Sequence, residues 1–390
     1  MNRTFRRIAL VLHEDSLYIR DILRGIHGFS LQRDWLLRLT RPEVDVENTL
    51  REWCPQGIVT HVTTASLAES LRCLQCPAVD VADIFSTPPF PHVGVHDHAV
   101  GAMAAEHLFV CGTRHFGFVG LGDWHFSRVR GDAFRRGLND RGCDCAFLEL
   151  TSPQEASAGL YYPGDQEDRL LDWLQSLSKP VGLFAANDYV AFEVVNACRR
   201  GDFTVPEQVS VLGVDNDELL CELCDPPLSS VAIPTGRIGH EAASLLERMM
   251  DGTCTDRQQI LLQPLAIIPR RSTDRRIVED SRVSRALSFI HDRRGQPISV
   301  EDVLRSVKVS RRTLERAFRR ELGRTPLQEI RRVHLEQVKA LLSQTELRIE
   351  EVAWQTGFSD GKHLATVFKQ ETGMTPLEFR RRGQLPTAPV

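Results

Sequence analysis

The last quarter of this 390-residue chain holds one stretch twice. Leu314-x-x-x-Phe318-Arg319-Arg320-Glu321-Leu322-Gly323-Arg324-Thr325-Pro326-Leu327 recurs fifty residues later as Leu364-x-x-x-Phe368-Lys369-Gln370-Glu371-Thr372-Gly373-Met374-Thr375-Pro376-Leu377. Upstream, Val300-Glu301-Asp302-Val303 is mirrored by Ile349-Glu350-Glu351-Val352. A duplicated stretch has to be read as one structure built twice. Each copy reads as a short helix, a turn, a longer helix, and then Gly and Thr-Pro. Ser310, and Ser359 or Asp360, suit the N-caps of the second helices; Gly323 and Gly373 suit their ends. This is the helix-turn-helix arrangement, whose second helix enters the major groove of DNA. Between the copies, Pro326–Leu342 is one helical pattern of 17 residues. At ~1.5 Å per residue it spans roughly 25 Å, which with the helix diameters sets the two readers about one DNA turn (~34 Å) apart.

The preceding 270 or so residues alternate between short apolar runs and helical patterns. Strand candidates are Ile8–Leu12, Leu36–Leu39, Gly57–Thr60, Ala78–Val81, His92–Val95, Phe116–Gly120, Ala146–Leu150, Val181–Ala185, Ser210–Val214 and Leu228–Ala232. Helical candidates between them are Tyr18–Gly28, Leu67–Cys73, Asp97–Val110, Arg130–Asp140, Asp168–Ser176, Asp188–Arg199 and Ile238–Met250. Such alternation predicts parallel sheets with helices on both faces, here too long for one small sheet and so divided into two lobes with a cleft. Ligands of such sheets sit beyond the carboxyl ends of the strands.

Charge separates the two regions. The whole chain carries a formal −4, but residues 281–390 carry +8 and residues 1–280 carry −12. A basic tail behind an acidic body points to a polyanionic partner for the tail. No apolar run approaches the ~20 residues that a membrane span needs, and the apolar stretch behind the basic N-terminus is too short for a signal peptide. A cytoplasmic protein without membrane contact is expected. Ten cysteines invite a zinc reading, but 144 residues separate Cys73-x-x-Cys76 from Cys221-x-x-Cys224. Zinc ribbons place the second pair about 15–20 residues on. The cysteines read instead as small buried hydrophobes of a reducing compartment, and neither a metal nor another cofactor is expected.

Several motifs admit a sharper and a plainer reading. Gly357-Phe358-Ser359-Asp360-Gly361 satisfies G-x-S-x-G, but that nucleophile elbow requires a strand before the serine, and Ile349–Thr356 reads as helix. Gly120-Leu121-Gly122-Asp123-Trp124-His125 follows a strand but lacks the third glycine of a dinucleotide loop, so it reads as a tight turn at the cleft mouth. His96-Asp97-His98 has no third metal ligand, and Asp97 is expected to cap the next helix. Arg130, Asn187, Asp188 and Asp215 lie at or near predicted strand ends. A guanidinium, a carboxamide and carboxylates can together bind vicinal hydroxyls, each of which donates and accepts. The plainer alternative has Asn187 and Asp188 capping a helix and Arg130 pairing with Asp132. In the repeat, Leu314 and Phe318 face inward at i, i+4, leaving Ser310, Arg311, Arg312, Glu315 and Arg316 outward. Lys362, His363, Ala365 and Thr366 are outward in the second copy. Basic residues on such helices read guanine or hold phosphates.

Val95-His96-Asp97-His98, Gly101, Ala104, His107-Leu108, Gly112, Phe116-Gly117-Phe118-Val119-Gly120, Arg130-Gly131-Asp132-Ala133-Phe134, Ala186-Asn187-Asp188, Val211-Leu212-Gly213-Val214-Asp215-Asn216 and Leu228-Ser229-Ser230-Val231 agree in order and spacing with LacI-type regulators. The first 230-odd matching residues thus resemble that family, which carries its DNA-binding helices ahead of the first strand; here that strand begins near residue 6. Residues 285–382 resemble the AraC family, down to Gly357-Phe358-Ser359 and the Gly-x-Thr-Pro element. The pairing, with the junction Arg270-Arg271-Ser272-Thr273-Asp274, resembles the xylose operon regulators of enteric bacteria.

The resemblance implies an α/β two-lobed, periplasmic-binding-protein-like (type I) sensor plus an all-α C-terminal domain with two helix-turn-helix units. The sensor is expected over 1–275, with a first lobe of about 5–113 and 234–252 and a second of about 114–232 and 258–270. A linker (276–284), an AraC-type domain (285–383) and a tail (384–390) would follow. Arg130 and Asp215 match effector-contacting positions of the family. The implied function is a DNA-binding transcription regulator, an activator, controlled by a small sugar for which D-xylose is the first candidate. Its partners would be double-stranded operator DNA, the sugar, a second copy through the sensor, and RNA polymerase. Another pentose, a hexose or a purine-like effector is the nearer alternative. A sugar-binding enzyme is the distant one, and it leaves the repeat unexplained.

Overall fold

The computed structural model describes residues 5–13, 16–42, 45–122, 124–150, 166–254, 258–274, 281–293, 295–322, 324–344 and 347–383. The chain forms two compact units, Met1–Arg275 and Arg276–Val390. In the first, strands β1 (Arg6–Val11), β2 (Trp35–Thr40), β3 (Gly57–Thr60), β4 (Ala78–Asp80), β5 (His92–Val95) and β11 (Gln259–Leu262) form one sheet, ordered β11-β5-β4-β3-β1-β2. A second sheet joins β6 (His115–Leu121), β7 (Cys145–Leu150), β8 (Val181–Ala185), β9 (Val209–Asp215), β10 (Ser229–Ala232) and β12 (Ala266–Ile268), ordered β12-β10-β9-β8-β6-β7. All these pairings are parallel except β10–β12. Parallel strands are covered on both faces, which is why β3, β5 and β8 are buried along their whole length.

Helices α1 (Leu17–Ser30), α2 (Val46–Trp53), α3 (Ala65–Arg72) and α9 (Thr235–Met250) accompany the first sheet. Helices α4 (Asp97–Val110), α5 (His125–Asn139), α6 (Glu167–Ser176), α7 (Asp188–Arg200) and α8 (Glu218–Leu223) accompany the second. The expected two-lobed α/β architecture is therefore observed, with two boundaries corrected. Helix α4 was expected in the first lobe, yet its buried Val100, Ala104, Ala105 and Leu108 share a core with Phe116, Phe118 and Phe134 of the second. Residues 258–270 were expected in the second lobe but are divided: β11 pairs with β5, and β12 with β10. The chain accordingly passes between the lobes around His96, Pro234 and residues 263–265. Helices α2 and α8 and strands β11 and β12 were not anticipated. They are short, and the apolar runs Ile260-Leu261-Leu262 and Ala266-Ile267-Ile268 lie in edge strands of four and three residues.

The second unit is helical: α10 (Ser281–Asp292), α11 (Val300–Val307), α12 (Arg311–Leu322), α13 (Pro326–Gln344), α14 (Ile349–Gln355), α15 (Gly361–Thr372) and α16 (Pro376–Gly383). Helix α10 begins inside the expected linker, because Val283 is fully buried with Val303, Leu314 and Phe318. Residues 276–280 and the tail lie outside the described residues. Two cores echo the sequence repeat. Leu314 and Phe318 anchor one and Leu364 and Phe368 the other, while α13 sends Ile330 and Val333 into the first and Leu335, Val338 and Leu342 into the second.

The crossing of α1 and α9 is too tight for side chains. A Cβ on Gly239 would stand 2.0 Å from the Ile22 carbonyl oxygen, and one on Gly25 1.9 Å from that of Gly236. Alanine in place of a mid-helix glycine normally gains up to about 1 kcal/mol, but here it strikes backbone. Gly239→Ala is therefore expected to destabilise the first unit by about 1–3 kcal/mol, seen as a lower midpoint in thermal unfolding. An unchanged or higher midpoint would mean that the helices can separate freely.

Candidate functional site

The lobes face each other across a cavity of about 140 Å³, into which the carboxyl ends of the strands open. Arg130, Asn187 and Asp215, singled out from the sequence, all line it. Arg130 is 5% exposed; its Nε donates to Asp97 Oδ1 at 2.6 Å and its Nη1 to the Ala186 carbonyl at 2.6 Å. The guanidinium also lies 4.7 Å from the centre of the Phe126 ring. Pairing with Asp132 is not what the structure shows; Asp132 accepts from Arg135 instead. Burial opposes the charge on Arg130, but Asp97 and Asp215 outweigh it and hold the guanidinium protonated. Asn187 is the N-cap of α7, its Oδ1 accepting from the Val190 N–H at 2.9 Å, which leaves the amide nitrogen as the end that can donate to a ligand.

Asp188 has another role. It is fully buried, Oδ1 accepting from Ser230 Oγ at 2.6 Å and Oδ2 from the Asp217 N–H at 2.8 Å. It touches only a side recess of about 20 Å³ and knits β9, β10 and α7 together rather than lining the main cavity. Asp97 is not the helix cap either: His96 Nδ1 accepts from the Ala99 N–H at 3.2 Å, freeing the Asp97 carboxylate for Arg130.

Sequence reading missed Tyr18, His61, Asp83, Trp124 and Phe126, which also line the cavity. Asp83 lies just beyond β4, so the strand-end rule that found Asp215 would have found it. Trp124 and Phe126 stand with ring centroids 5.6 Å apart, a platform suited to the C–H face of a sugar ring. Across the cleft mouth, the His125 and Phe126 N–H groups donate to the Ile84 and Asp83 carbonyls, both at 2.9 Å. These are first-turn donors of α5, whose N-cap residue Trp124 offers no side-chain acceptor, so the opposite lobe satisfies them. Asp83 Oδ1 and Asp97 Oδ2 are buried with no protein donor besides the proton that the two carboxyls can share, and His61 Nδ1 is buried without a protein hydrogen-bond partner. Each such group costs ~1–3 kcal/mol unless a ligand meets it.

In the helical unit the second helices are alike. Helix α12 buries Leu314, Ala317 and Phe318 and exposes Arg312, Arg316, Arg319 and Arg320; α15 buries Leu364, Val367 and Phe368 and exposes Lys362, His363 and Thr366. Ser310 Oγ accepts from the Thr313 N–H at 3.3 Å, and Asp360, not Ser359, caps α15 by accepting from His363 at 2.7 Å. Gly373 ends α15 with φ +77°; Gly323 lies outside the described residues. Arg311 is engaged on its own surface, its Nε donating to Glu315 at 2.9 Å and its Nη1 to Glu301 at 3.2 Å. Glu315 and Ala365 are half-buried, flanking the exposed residues rather than leading them. Thr366 Oγ1 donates back to the Lys362 carbonyl at 2.9 Å.

Known proteins share this organisation. Residues 105–273 match the model of a periplasmic binding protein-like domain, and residues 303–382 that of a helix-turn-helix domain. The chain is 30% identical to the xylose operon regulatory protein of Haemophilus influenzae, over 97% of this chain and 99% of that one. It is 29% identical to that of Escherichia coli K12 over 96% of each. A solved structure of a xylose-binding transcription activator superimposes with a TM-score of 0.65 at 28% identity, covering 98% of this chain and 99% of that one. A sensor of the periplasmic-binding-protein type joined to a helix-turn-helix unit defines a DNA-binding transcription regulator rather than an enzyme. The chain belongs to the family of xylose operon regulatory proteins. No described helix is long and apolar enough to cross a membrane.

The cleft should make stability depend on pH. Burial and the neighbouring Asp97 push Asp83 up to about 8, and burial pushes Asp215 up to about 7 against the pull of Arg130. Both exceed the ordinary value near 3.9, so the folded state holds these protons more tightly than the unfolded chain and loses stability as pH rises through the folded values. His61 and His92, lowered by burial to about 4 from 6.5, act the other way, but only below about pH 6.5. Between about pH 6.5 and 8 the sugar-free first unit should therefore melt at falling temperature. Asp83→Asn should flatten that slope in a calorimetric pH series; an unaltered slope would remove Asp83 as its source.

Proposed function

We propose that this regulator is an activator whose effector is D-xylose, bound in the cleft by Arg130, Asn187, Asp83, Asp97 and Asp215 against Trp124 and Phe126. The carrying observation is the cluster of Asp83, Asp97 and Asp215 carboxyls gathered with one guanidinium in a single cavity. A pentopyranose has a hydroxyl on every ring carbon but the last, so it can donate to the carboxylates and accept from Arg130 and Asn187. The relative solved as a xylose-binding activator supports the choice of sugar. Sugar contacting both walls favours the closed lobes by its differential affinity for that form. The regulator would act in the cytoplasm on operator DNA, as a homodimer through the sensor unit, with RNA polymerase as its protein partner. The expectation for Asp188 changes: it supports the site without touching the sugar.

Isothermal calorimetry against a panel of monosaccharides tests the effector. D-xylose should bind most tightly, and Asp215→Asn, which keeps shape but loses charge, should weaken it by about 10–100-fold, the equivalent of a charged hydrogen bond worth ~1.5–3 kcal/mol. Unaltered affinity would exclude Asp215 from the site.

On DNA, Arg312 and Arg316 of α12 would read bases, with Ser310, Arg311 and Glu315 at the margin. Lys362, His363, Ala365 and Thr366 would form the contact face of α15. The Arg311–Glu315 pair is exposed, so its net worth of about 0–1 kcal/mol lets DNA displace it. Helix α12 carries five arginines against two lysines on α15, so it should dominate affinity and salt dependence. Arg316→Ala should cost ~1–3 kcal/mol in operator binding and relax specificity at one position, with Lys362→Ala costing less. Titrations at several salt concentrations decide this; equal losses would show that charge count misidentifies the reading helix.

A further inference from the structure

Strand β9 ends in an unusual turn. Asp215 has φ +105° and Asn216 φ +55°, two consecutive side-chain-bearing residues in a region that L-residues avoid. Asp215 faces the cavity. Asn216 faces the other way: its Oδ1 accepts from Arg270 Nη2 at 2.9 Å, and its N–H donates to Ser230 Oγ at 3.0 Å. Arg270 also donates through Nη1 to the Leu228 carbonyl at 2.9 Å and through its backbone N–H to Ser229 Oγ at 2.8 Å. The next residues are fastened to the same corner. Ser272 Oγ donates to the Val211 carbonyl at 2.6 Å, and Thr273 Oγ1 to Ser229 Oγ at 2.8 Å. Ser272 and Thr273 are 0% and 2% exposed, and the first unit ends at Arg275.

The strained turn thus has the cleft on one side and the chain's exit toward the helix-turn-helix unit on the other. We propose that the Asn216–Arg270 hydrogen bond couples occupancy of the cleft to the exit segment Arg270–Thr273, making Asn216 and Arg270 positioning residues of the regulatory response. A ligand hydroxyl that engages the Asp215 carboxylate alters the torsions of Asp215, and these are inherited by Asn216. Side-chain-bearing residues at positive φ store strain, so a change at Asp215 readily shifts the placement of the adjoining Asn216 amide. In one placement the amide oxygen meets the Arg270 fork and holds the exit segment; in another it releases it. This inference rests on the cleft being the effector site.

Coupling between two ligands is reciprocal, so it can be read as the ratio of D-xylose dissociation constants without and with saturating DNA. The experiment uses the full chain, a duplex from a promoter that the wild-type chain binds, and calorimetry with D-xylose. The wild-type ratio should differ from one by about fivefold or more. Asn216→Gly accepts the positive φ but lacks the amide. It should still bind D-xylose and fold, by thermal unfolding, with the ratio brought within about twofold of one. Asn216→Asp keeps an acceptor for Arg270 and should retain the wild-type ratio, which assigns the loss in Asn216→Gly, a variant that still folds and binds sugar, to the Arg270 hydrogen bond. Arg270→Lys keeps the charge but not the fork and should uncouple as Asn216→Gly does, serving in its place should that variant not fold. A wild-type ratio in both uncoupling variants would overturn the coupling while leaving the effector site intact. Absence of D-xylose binding by the wild-type chain would overturn the effector reading and this inference with it.

Discussion

The floor of the cleft depends on one buried charge. Arg130 is almost wholly withdrawn from solvent, a state that a guanidinium tolerates only when opposite charge and hydrogen-bond acceptors offset its lost hydration. Asp97 supplies the charge from the first turn of α4, Ala186 supplies a carbonyl from the end of β8, and Phe126 covers one face. Those partners come from three separate elements, so satisfying Arg130 fixes the relative placement of α4, α5 and the turn into α7. Asp97 can serve this purpose because His96 has taken over capping the helix. Removing Arg130 would leave Asp97 buried without its cation, and removing Asp97 would strip the guanidinium of its direct ion pair.

Around that floor the first unit is arranged for relative movement of its lobes. Each lobe has its own sheet and its own apolar core, and the chain crosses between them at only a few points. What joins them at the mouth is backbone: two N–H groups at the start of α5 donate to the carbonyls of Asp83 and Ile84. Such hydrogen bonds form and break without repacking a core. Asp83 therefore has its carboxyl in the cavity and its carbonyl in the contact between lobes. The helical unit is built on the opposite plan. Helix α13 contributes to both of its cores, so the two helix-turn-helix halves are held by a shared element of 19 residues, roughly 28 Å at ~1.5 Å per residue.

Much of this was legible in the residues because period and punctuation are local properties. The expected strands of both lobes appear with boundaries shifted by a few residues at most, since a doubly covered parallel strand is apolar throughout. The repeat announced two equivalent second helices, and the buried Leu314, Ala317 and Phe318 of one match Leu364, Val367 and Phe368 of the other. Errors fell where context outweighs pattern. Edge strands β11 and β12 are only four and three residues long, too short to stand out although Ile260-Leu261-Leu262 and Ile267-Ile268 carried the signal, and α8 is too short to show a helical period. Helix α4 reads equally well in either lobe, because its sequence is apolar over most of its surface, with no single apolar face, and does not say which sheet it covers. Asp188 looked like a site residue because it follows a strand; whether its carboxylate turned outward or inward was settled by Ser230 and the Asp217 amide, far away in sequence.

The sequence by itself determined the class of most elements, the duplication, the separation of an acidic body from a basic tail, and the candidacy of Arg130, Asn187 and Asp215 for the cleft. These follow from side-chain chemistry and spacing, which act over a turn of helix or a few residues of strand. Tertiary structure alone decided which carboxylates surround Arg130, that Tyr18, His61 and Trp124 complete the cavity, and that Arg311 spends its charge on Glu315 and Glu301. Those outcomes depend on distances between residues tens to hundreds of positions apart, and on the desolvation that makes a buried charge seek whatever partner the fold brings near.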